Sequence, residues 1–370
     1  MTTETSPVRL TGLTREELDL QLAAWGQKPF RGKQLWSWLH VKLATEVAGM
    51  TDLSKEFREL LGQRTAPLRP GVGRHQVARD GTEKWLLVLA DGETVETVFI
   101  PDEERGTLCI SSQVGCALSC PFCRTGTMPL VRNLTAAEMV EQVLHVRTVL
   151  SRAGQGEETG AEGGAGKTAG GGKASSGEEK RITNVVLMGM GEPLYNYEAT
   201  VKAVRILMDR NGLAIGTRKI TLSTSGVAPR IPQVMRDLGV NLAVSLHAVR
   251  DEVRDVLVPI NRKFNLAALR QAIMDSPLKS GRRITWEYVL LDGINDSLEA
   301  AAELAAFVRG IPSKMNLIPF NPWEGSPYLP SPREQVVRFQ EVLHHAGLVT
   351  VIRESRGADI SAACGQLKSF

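Results

Sequence analysis

Thr107-Leu-Cys-Ile-Ser-Ser-Gln-Val-Gly-Cys116-Ala-Leu-Ser-Cys120-Pro-Phe-Cys123 is the stretch on which the reading of this chain turns. Its opening is a short apolar run of strand character, expected over residues 108–111, and its close puts three thiols, Cys116, Cys120 and Cys123, on one short loop directly after that strand. A four-iron, four-sulfur cluster takes four ligands, and a protein that supplies only three cysteines leaves one iron open. The competing assignment is a structural zinc site made by three cysteines and a histidine. Zinc sites are usually built from two short knuckles, whereas here no second knuckle follows and His75 and His145 are distant in sequence.

Downstream of this loop, short apolar segments alternate with helical patterns. Strands are expected at 184–188, 219–223, 242–246, 284–290, 315–318 and 349–352, and the capping-box sequence Thr135-Ala-Ala-Glu138 opens a helix with Met139, Val143, Val146 and Leu150 on one face. Repeated β-α order implies a parallel sheet with functional residues at the strand ends. About six such units predict an α/β fold, a partial (β/α)6 barrel, over residues 105–355. Upstream, Thr14-Arg-Glu-Glu17 has capping-box form, and further helical patterns run through Lys33–Leu39 and Phe57–Leu61, so residues 1–66 read as a small helical accessory domain. Between them, residues 67–104 read as a β-hairpin extension, with Asp91-Gly92 as the turn between Lys84-Trp-Leu-Leu-Val-Leu89 and Thr94-Val-Glu-Thr-Val-Phe-Ile100. Residues 153–180 carry no apolar side chain larger than Ala and are expected to be a disordered insertion. Within it Gly164-Ala-Gly-Lys-Thr168 lacks the first glycine of a phosphate loop, where Ala161 stands, and no apolar strand precedes it.

Composition sets limits. The 370 residues hold 44 basic and 41 acidic side chains, a net charge of +3, so any contact with nucleic acid has to be local rather than spread over the surface. No apolar run approaches a membrane span and the N-terminus lacks signal-peptide order, which predicts a soluble cytoplasmic protein, expected to be a monomer. Five cysteines, four of them within Cys109–Cys123, suit a metal and redox site better than a secreted disulfide framework.

Three further strand ends carry chemistry. Met188-Gly-Met-Gly-Glu-Pro193 has glycines that let backbone approach a ligand and a carboxylate, Glu192, able to accept from an amino group. Thr221-Leu-Ser-Thr-Ser-Gly226 and Val244-Ser-Leu-His-Ala248 offer hydroxyls and an imidazole toward the same mouth. Each has an ordinary alternative: a loop, a helix cap, or a buried core histidine at His247. Cys109 by itself reads as a small buried hydrophobe, and Cys364 as an inert tail thiol.

With these residues in view, the chain resembles the RlmN/Cfr family of radical S-adenosylmethionine (SAM) RNA methyltransferases, and its RlmN branch most closely. The resemblance rests on the cysteine loop, Gly-Met-Gly-Glu-Pro193, Leu222-Ser-Thr-Ser-Gly226, Ser245-Leu-His247, Pro259-Ile-Asn-Arg262, Leu317-Ile-Pro-Phe-Asn-Pro322 and Arg356-Gly-Ala-Asp-Ile-Ser-Ala-Ala-Cys-Gly-Gln-Leu367. It covers nearly the whole chain outside 153–180. It implies a 4Fe-4S cluster on Cys116, Cys120 and Cys123 with its fourth site open to SAM. It implies contacts to SAM from Gly191, Glu192, Ser223, Ser245, Leu246, His247 and Asn321. Cys364, in the tail 356–370, is implied as methyl carrier, Cys109 as the thiol that resolves it through a disulfide, and Glu96 as proton acceptor.

The reaction implied is methylation of an adenosine at carbon 2, in 23S rRNA at the peptidyl transferase centre and in tRNA 3′ of the anticodon, using two SAM molecules and an external electron donor such as flavodoxin. Carbon 2 is electron-poor and sp², so it does not attack an electrophilic methyl group as an amine would. The target base is expected to be flipped from its RNA context, with Arg31, Lys33 and Arg282-Arg283 as candidate phosphate contacts. A Cfr-like enzyme acting on carbon 8 and a zinc-stabilised RNA-binding module are the alternatives. The residues after the loop, Arg124-Thr-Gly-Thr-Met-Pro-Leu130, depart from the family pattern.

Overall fold

The computed structural model describes residues 7–103, 105–154 and 180–368. The motif Gly164-Ala-Gly-Lys-Thr168 and residues 155–179 of the expected insertion lie outside them; of its edges, residues 153 and 154 end a helix, and Lys180 pairs with Glu83 at 2.9 Å.

Three helices open the chain: α1 (Arg15–Ala24), α2 (Phe30–His40) and α3 (Lys55–Arg64). The box read at Thr14 is formed, the hydroxyl accepting from Glu17 N at 3.3 Å and the Glu17 carboxylate accepting from Thr14 N at 2.8 Å. Leu18, Leu22, Leu35, Trp36, Phe57 and Leu61 form the shared interior of this unit. Strands β1 (Gly71–Val77), β2 (Glu83–Val88), β3 (Thr94–Asp102) and β4 (Arg105–Cys109) follow, joined antiparallel in that order. The hairpin expected at Asp91-Gly92 is therefore present as β2–β3, but β1 was missed. Its Gly71, Gly73, Arg74 and His75 break the apolar run that marks a strand.

After β4 come a small pair, β5 (Gln113–Val114) with β6 (Arg132–Asn133), then α4 (Ala136–Gly154) and β7 (Asn184–Leu187). The chain continues α5 (Tyr197–Met208), β8 (Ile220–Thr224), α6 (Ile231–Leu238), β9 (Asn241–Ser245), α7 (Asp251–Leu257), α8 (Leu266–Met274), β10 (Ile284–Leu290), α9 (Leu298–Phe307), β11 (Ser313–Pro319), α10 (Arg333–His345) and β12 (Thr350–Ile352). Strands β4, β7, β8, β9, β10, β11 and β12 are parallel neighbours in chain order, so six helical crossovers link them among the described residues, as the β-α periodicity predicts. Strands covered on both faces are mostly apolar, and every residue of β10 is buried.

The antiparallel segment is not a separate appendage. It is hydrogen-bonded into the same ten-stranded sheet through β3 and β4. Trp85 on its outward face stacks on His75 with ring centroids 4.6 Å apart and meets His145 of α4 edge-on. The N-terminal unit is held by a buried contact to α4, where Glu141 accepts from Thr11 Oγ1 at 2.6 Å and pairs with Arg9 at 3.0 Å. Among the described residues no helix is long and apolar enough to cross a membrane.

Trp85 is 1% exposed and links the antiparallel strands to α4 through its edge-on contact with His145. Trp85→Ala is expected to cost about 3–5 kcal/mol, read as a lower chemical-denaturation midpoint than wild type under identical conditions; an unchanged midpoint would show that these strands do not depend on it.

Candidate active site

Because the barrel strands run parallel, their C-terminal ends meet at one mouth, and each functional loop is the segment that leaves a strand there. The cysteine loop follows β4, Gly191 and Glu192 follow β7, Ser223 ends β8, Ser245 ends β9 with His247 just beyond, and Asn321 follows β11. One pocket is lined by Cys116, Cys120, Cys123, Gly191, Glu192, Ser223, Ser245, His247, Asn321 and Cys364 together. Of the residues read as its parts, Leu246 is fully buried, and Leu246, Cys109 and Glu96 do not line this pocket.

Local geometry explains the sequence of each loop. Gly191 has φ +94°, and a Cβ there would stand 2.4 Å from the side chain of Gln113. Gln113 Oε1 in turn accepts from Glu192 N at 2.9 Å. The Glu192 carboxylate, 1% exposed, accepts from Leu194 N at 3.0 Å and from Ser225 N at 2.7 Å, which fixes its direction. Burial pushes its pKa up to about 7 against those two backbone donors. His247 has φ +59°, a strained conformation for a residue with a side chain. Its Nδ1 accepts from Val289 N at 3.0 Å, so the neutral ring carries its proton on Nε2; burial, then the Arg254 cation, push the pKa down to about 3. Phe122 of the cysteine loop packs edge-on against the same ring at 4.8 Å.

Arg254, which the sequence did not reveal, ties these loops together. Fully buried on α7, it donates to Leu246 O at 3.0 Å, Ser245 O at 3.1 Å, Ser225 O at 2.8 Å and Asn261 Oδ1 at 2.8 Å. Burial pulls its pKa down to about 10, and the nearest opposing influence is Cys120. A buried cation beside the cysteine loop suits a site that has to hold negative charge. Glu287, midway along the otherwise apolar β10, also faces the pocket; a charged residue inside such a run was the signal available for it.

The tail completes the site. Asn321 Nδ2 donates to Cys364 O at 3.1 Å, Arg124 N to Gly365 O at 2.7 Å, and Thr125 Oγ1 to Leu367 O at 2.6 Å. Cys364 is open to solvent through the mouth while protein atoms surround it elsewhere, and burial pushes its thiol up. Cys109 is pushed up to about 12, by burial first and by Cys364 second; both are free thiols. Glu96 lines an adjoining cleft with Lys84, Arg124 and the tail.

The basic groups named as phosphate contacts fare differently. Arg282 and Arg283 immediately precede β10, at the strand ends opposite the mouth, where Arg282 donates to Asn241 Oδ1 and Gly239 O. That pair is corrected: strand polarity puts it on the wrong end of the barrel. Arg31 lies over the Phe30 and Phe57 rings at 5.0 and 5.3 Å, and Lys33 is exposed on α2. Arg74 and Arg124 are the arginines that line the cleft beside Glu96.

Cys116, Cys120 and Cys123 share one pocket, and burial followed by mutual repulsion holds Cys120 neutral in the absence of metal. Three thiols lining one open pocket supply the donor set of an iron-sulfur cluster with one iron left free, and the Glu192 carboxylate lines the same space.

Fold and site together define a radical-SAM enzyme. Residues 173–305 match the model of the radical SAM superfamily, a stretch that begins beyond the cysteine loop, and residues 8–66 match the ribosomal RNA large subunit methyltransferase N-terminal domain. The chain is 58% identical to the dual-specificity RNA methyltransferase RlmN of Magnetococcus marinus over 97% of its length and 94% of the relative's, and 49% identical to that of Rhodospirillum rubrum over 98% and 81%. A crystal structure of a radical SAM methyltransferase from Sphaerobacter thermophilus superposes with a TM-score of 0.86 at 42% identity, covering 98% of this chain and 99% of that one. The chain belongs to the RlmN family of radical-SAM RNA methyltransferases, a SAM-dependent enzyme whose family carries a 4Fe-4S cluster.

Arg254→Met strands three backbone carbonyls and Asn261, a loss expected to cost about 3 kcal/mol or more. Thermal unfolding and iron content after anaerobic reconstitution should both fall below wild type; values equal to wild type for both would remove Arg254 from its organising role.

Proposed function

We propose that this enzyme methylates carbon 2 of adenosine in large-subunit rRNA, and in tRNA as a second substrate, with Cys364 as the intermediate methyl carrier. The observation that carries the reading is the position of Cys364: a tail residue held over the cysteine loop by hydrogen bonds from Asn321, Arg124 and Thr125, and lining the same pocket as the three loop cysteines. The name shared by the relatives, dual-specificity RNA methyltransferase, and the rRNA-methyltransferase model over residues 8–66 support the two RNA classes.

In this reading Cys116, Cys120 and Cys123 would hold the cluster, and Gly191, Glu192, Ser223, Ser245, Leu246, His247 and Asn321 would hold SAM. Once bound, cluster and SAM supply the methyl group and the radical that an unreactive ring carbon requires. The rest falls to the chain. Cys364 accepts the methyl as a thiolate, and the cation of Arg353 opposes the burial that keeps the thiol protonated. Glu192, held by two backbone donors, aims its carboxylate into the pocket to receive an ammonium group. Neutral His247 offers Nε2–H without adding charge. Cys109 attacks the Cys364 sulfur to release the RNA, leaving a disulfide that an external reductant reopens. Electrons come from an external donor such as flavodoxin.

The direct test is incubation with reductant and isotope-labelled SAM on separate rRNA and tRNA pools, followed by nucleoside mass spectrometry. The expected product is 2-methyladenosine from both pools; 8-methyladenosine would replace this reading by the carbon 8 enzyme. With the same RNA, Cys109→Ala is expected to accumulate a covalent protein–RNA adduct and Cys364→Ala to transfer no methyl. Full activity in Cys364→Ala would eliminate the carrier role.

A further inference from the structure

The sheet register sets one cation beside the proton acceptor. Lys84 of β2 pairs with Val98 of β3, and Val98 pairs with Cys109 of β4, so these three side chains form one cross-strand row on one face. Glu96 is two residues before Val98 and shares that face, one row along and diagonal to Lys84. Lys84 Nζ stands 2.9 Å from Glu96 Oε1, with both side chains under a tenth exposed, and donates a second bond to Ser361 O of the tail at 3.1 Å. Glu96 Oε2 accepts from Lys368 N at 2.8 Å. A buried lysine is costly unless it is paired, and this one sits on the wall of a cleft that Glu96, Arg124 and the tail residues Asp359, Ser361 and Lys368 also line.

We propose that Lys84 is the positioning residue for proton removal: its buried ammonium keeps Glu96 ionised and fixes the carboxylate beside the docked tail. The inference rests on the carrier mechanism proposed above, with Glu96 in the proton-acceptor role that the family resemblance implies. In the step concerned, the C–H bond at the modified ring carbon breaks, the proton passes to the Glu96 carboxylate and the electron pair stays with the ring. Lys84 never touches the RNA in this step and acts through Glu96.

Burial raises the Glu96 pKa and Lys84 is the largest influence opposing it. The other charged groups around the carboxylate are Arg124 from the cysteine loop, Arg74 from β1, and Asp359 and Lys368 from the tail. Without Lys84 the carboxyl stays protonated to higher pH, so the base form is lost as pH falls earlier than in wild type. The acidic limb of the rate profile therefore moves toward alkaline pH.

The test is single-turnover methyl transfer against pH for wild type, Lys84→Met and Lys84→Arg, with the Cys364 peptide followed by mass spectrometry. Lys84→Met should still load a methyl on Cys364, because Asn321, Arg124 and Thr125 hold the tail independently. It should lose about 10²-fold in transfer rate near neutrality, shift its acidic limb up by about one pH unit or more, and accumulate the protein–RNA adduct, with KM for RNA little changed. Lys84→Arg should bring the limb back toward wild type. A Lys84→Met profile that is uniformly lower but parallel to wild type, an unchanged rate, or loss of Cys364 loading in Lys84→Met alone would each overturn the inference. Wild type failing to load Cys364 would instead bring down the carrier mechanism on which it rests.

Discussion

The whole site depends on a chain terminus being held in place. Residue 364 has to meet a loop that begins at residue 116, and the contacts that bring it there are short-range bonds to the tail backbone: Arg124 N to Gly365 O, Thr125 Oγ1 to Leu367 O, Lys368 N to Glu96 Oε2 and Asn321 Nδ2 to Cys364 O. Terminal segments are ordinarily the least ordered part of a domain unless something binds them. Here they are bound from both sides, by the cysteine loop and by the antiparallel strands. Backbone bonds of this kind fix the path of the tail while leaving the Cys364 side chain open at the mouth.

That requirement gives the antiparallel segment a purpose in the fold. Continuing the barrel sheet outward through β3, β2 and β1 extends one face of the site past Cys109, and the extension carries Glu96 and Lys84 on the same side as the thiols. At the turn between β1 and β2, Asp80 Oδ2 accepts from Gly357 N at 2.9 Å, and Asp359 of the tail accepts from Arg79 N at 3.1 Å. Buried charge is found around the barrel mouth at Glu192 and Arg254 and beside the tail at Lys84 with Glu96, as well as away from the site at Glu141 of α4. Each is satisfied by named partners, and an unpaired charge at that depth would cost several kcal/mol.

Much of this was legible in sequence because the signals are local. Capping boxes at Thr14 and Thr135, the turn at Asp91-Gly92 and the runs at the barrel strands each depend on a few consecutive residues, and each is formed. The thiol and glycine loops were readable for the same reason, since strand ends in a parallel sheet converge. Arg254 was not readable, because its role is to accept isolation from water in exchange for three carbonyls at the ends of β8 and β9 and the loops that follow them. Lys84 was half readable: alternation places it opposite Trp85, but only the register set by the β2–β3 turn puts it beside Glu96. Arg282 and Arg283 precede the strand expected at 284–290, so strand polarity already placed them away from the mouth; their charge alone suggested a phosphate contact.

The central claim is that one carbon passes through the Cys364 sulfur on its way to RNA, and it can be followed directly. Enzyme whose Cys364 has been loaded with an isotope-labelled methyl group is freed of excess SAM, then given unlabelled SAM, reductant and RNA for a single turnover. The account predicts that the labelled carbon leaves the Cys364 peptide and appears in the modified adenosine. Label retained on the peptide while the RNA gains only unlabelled carbon would contradict it.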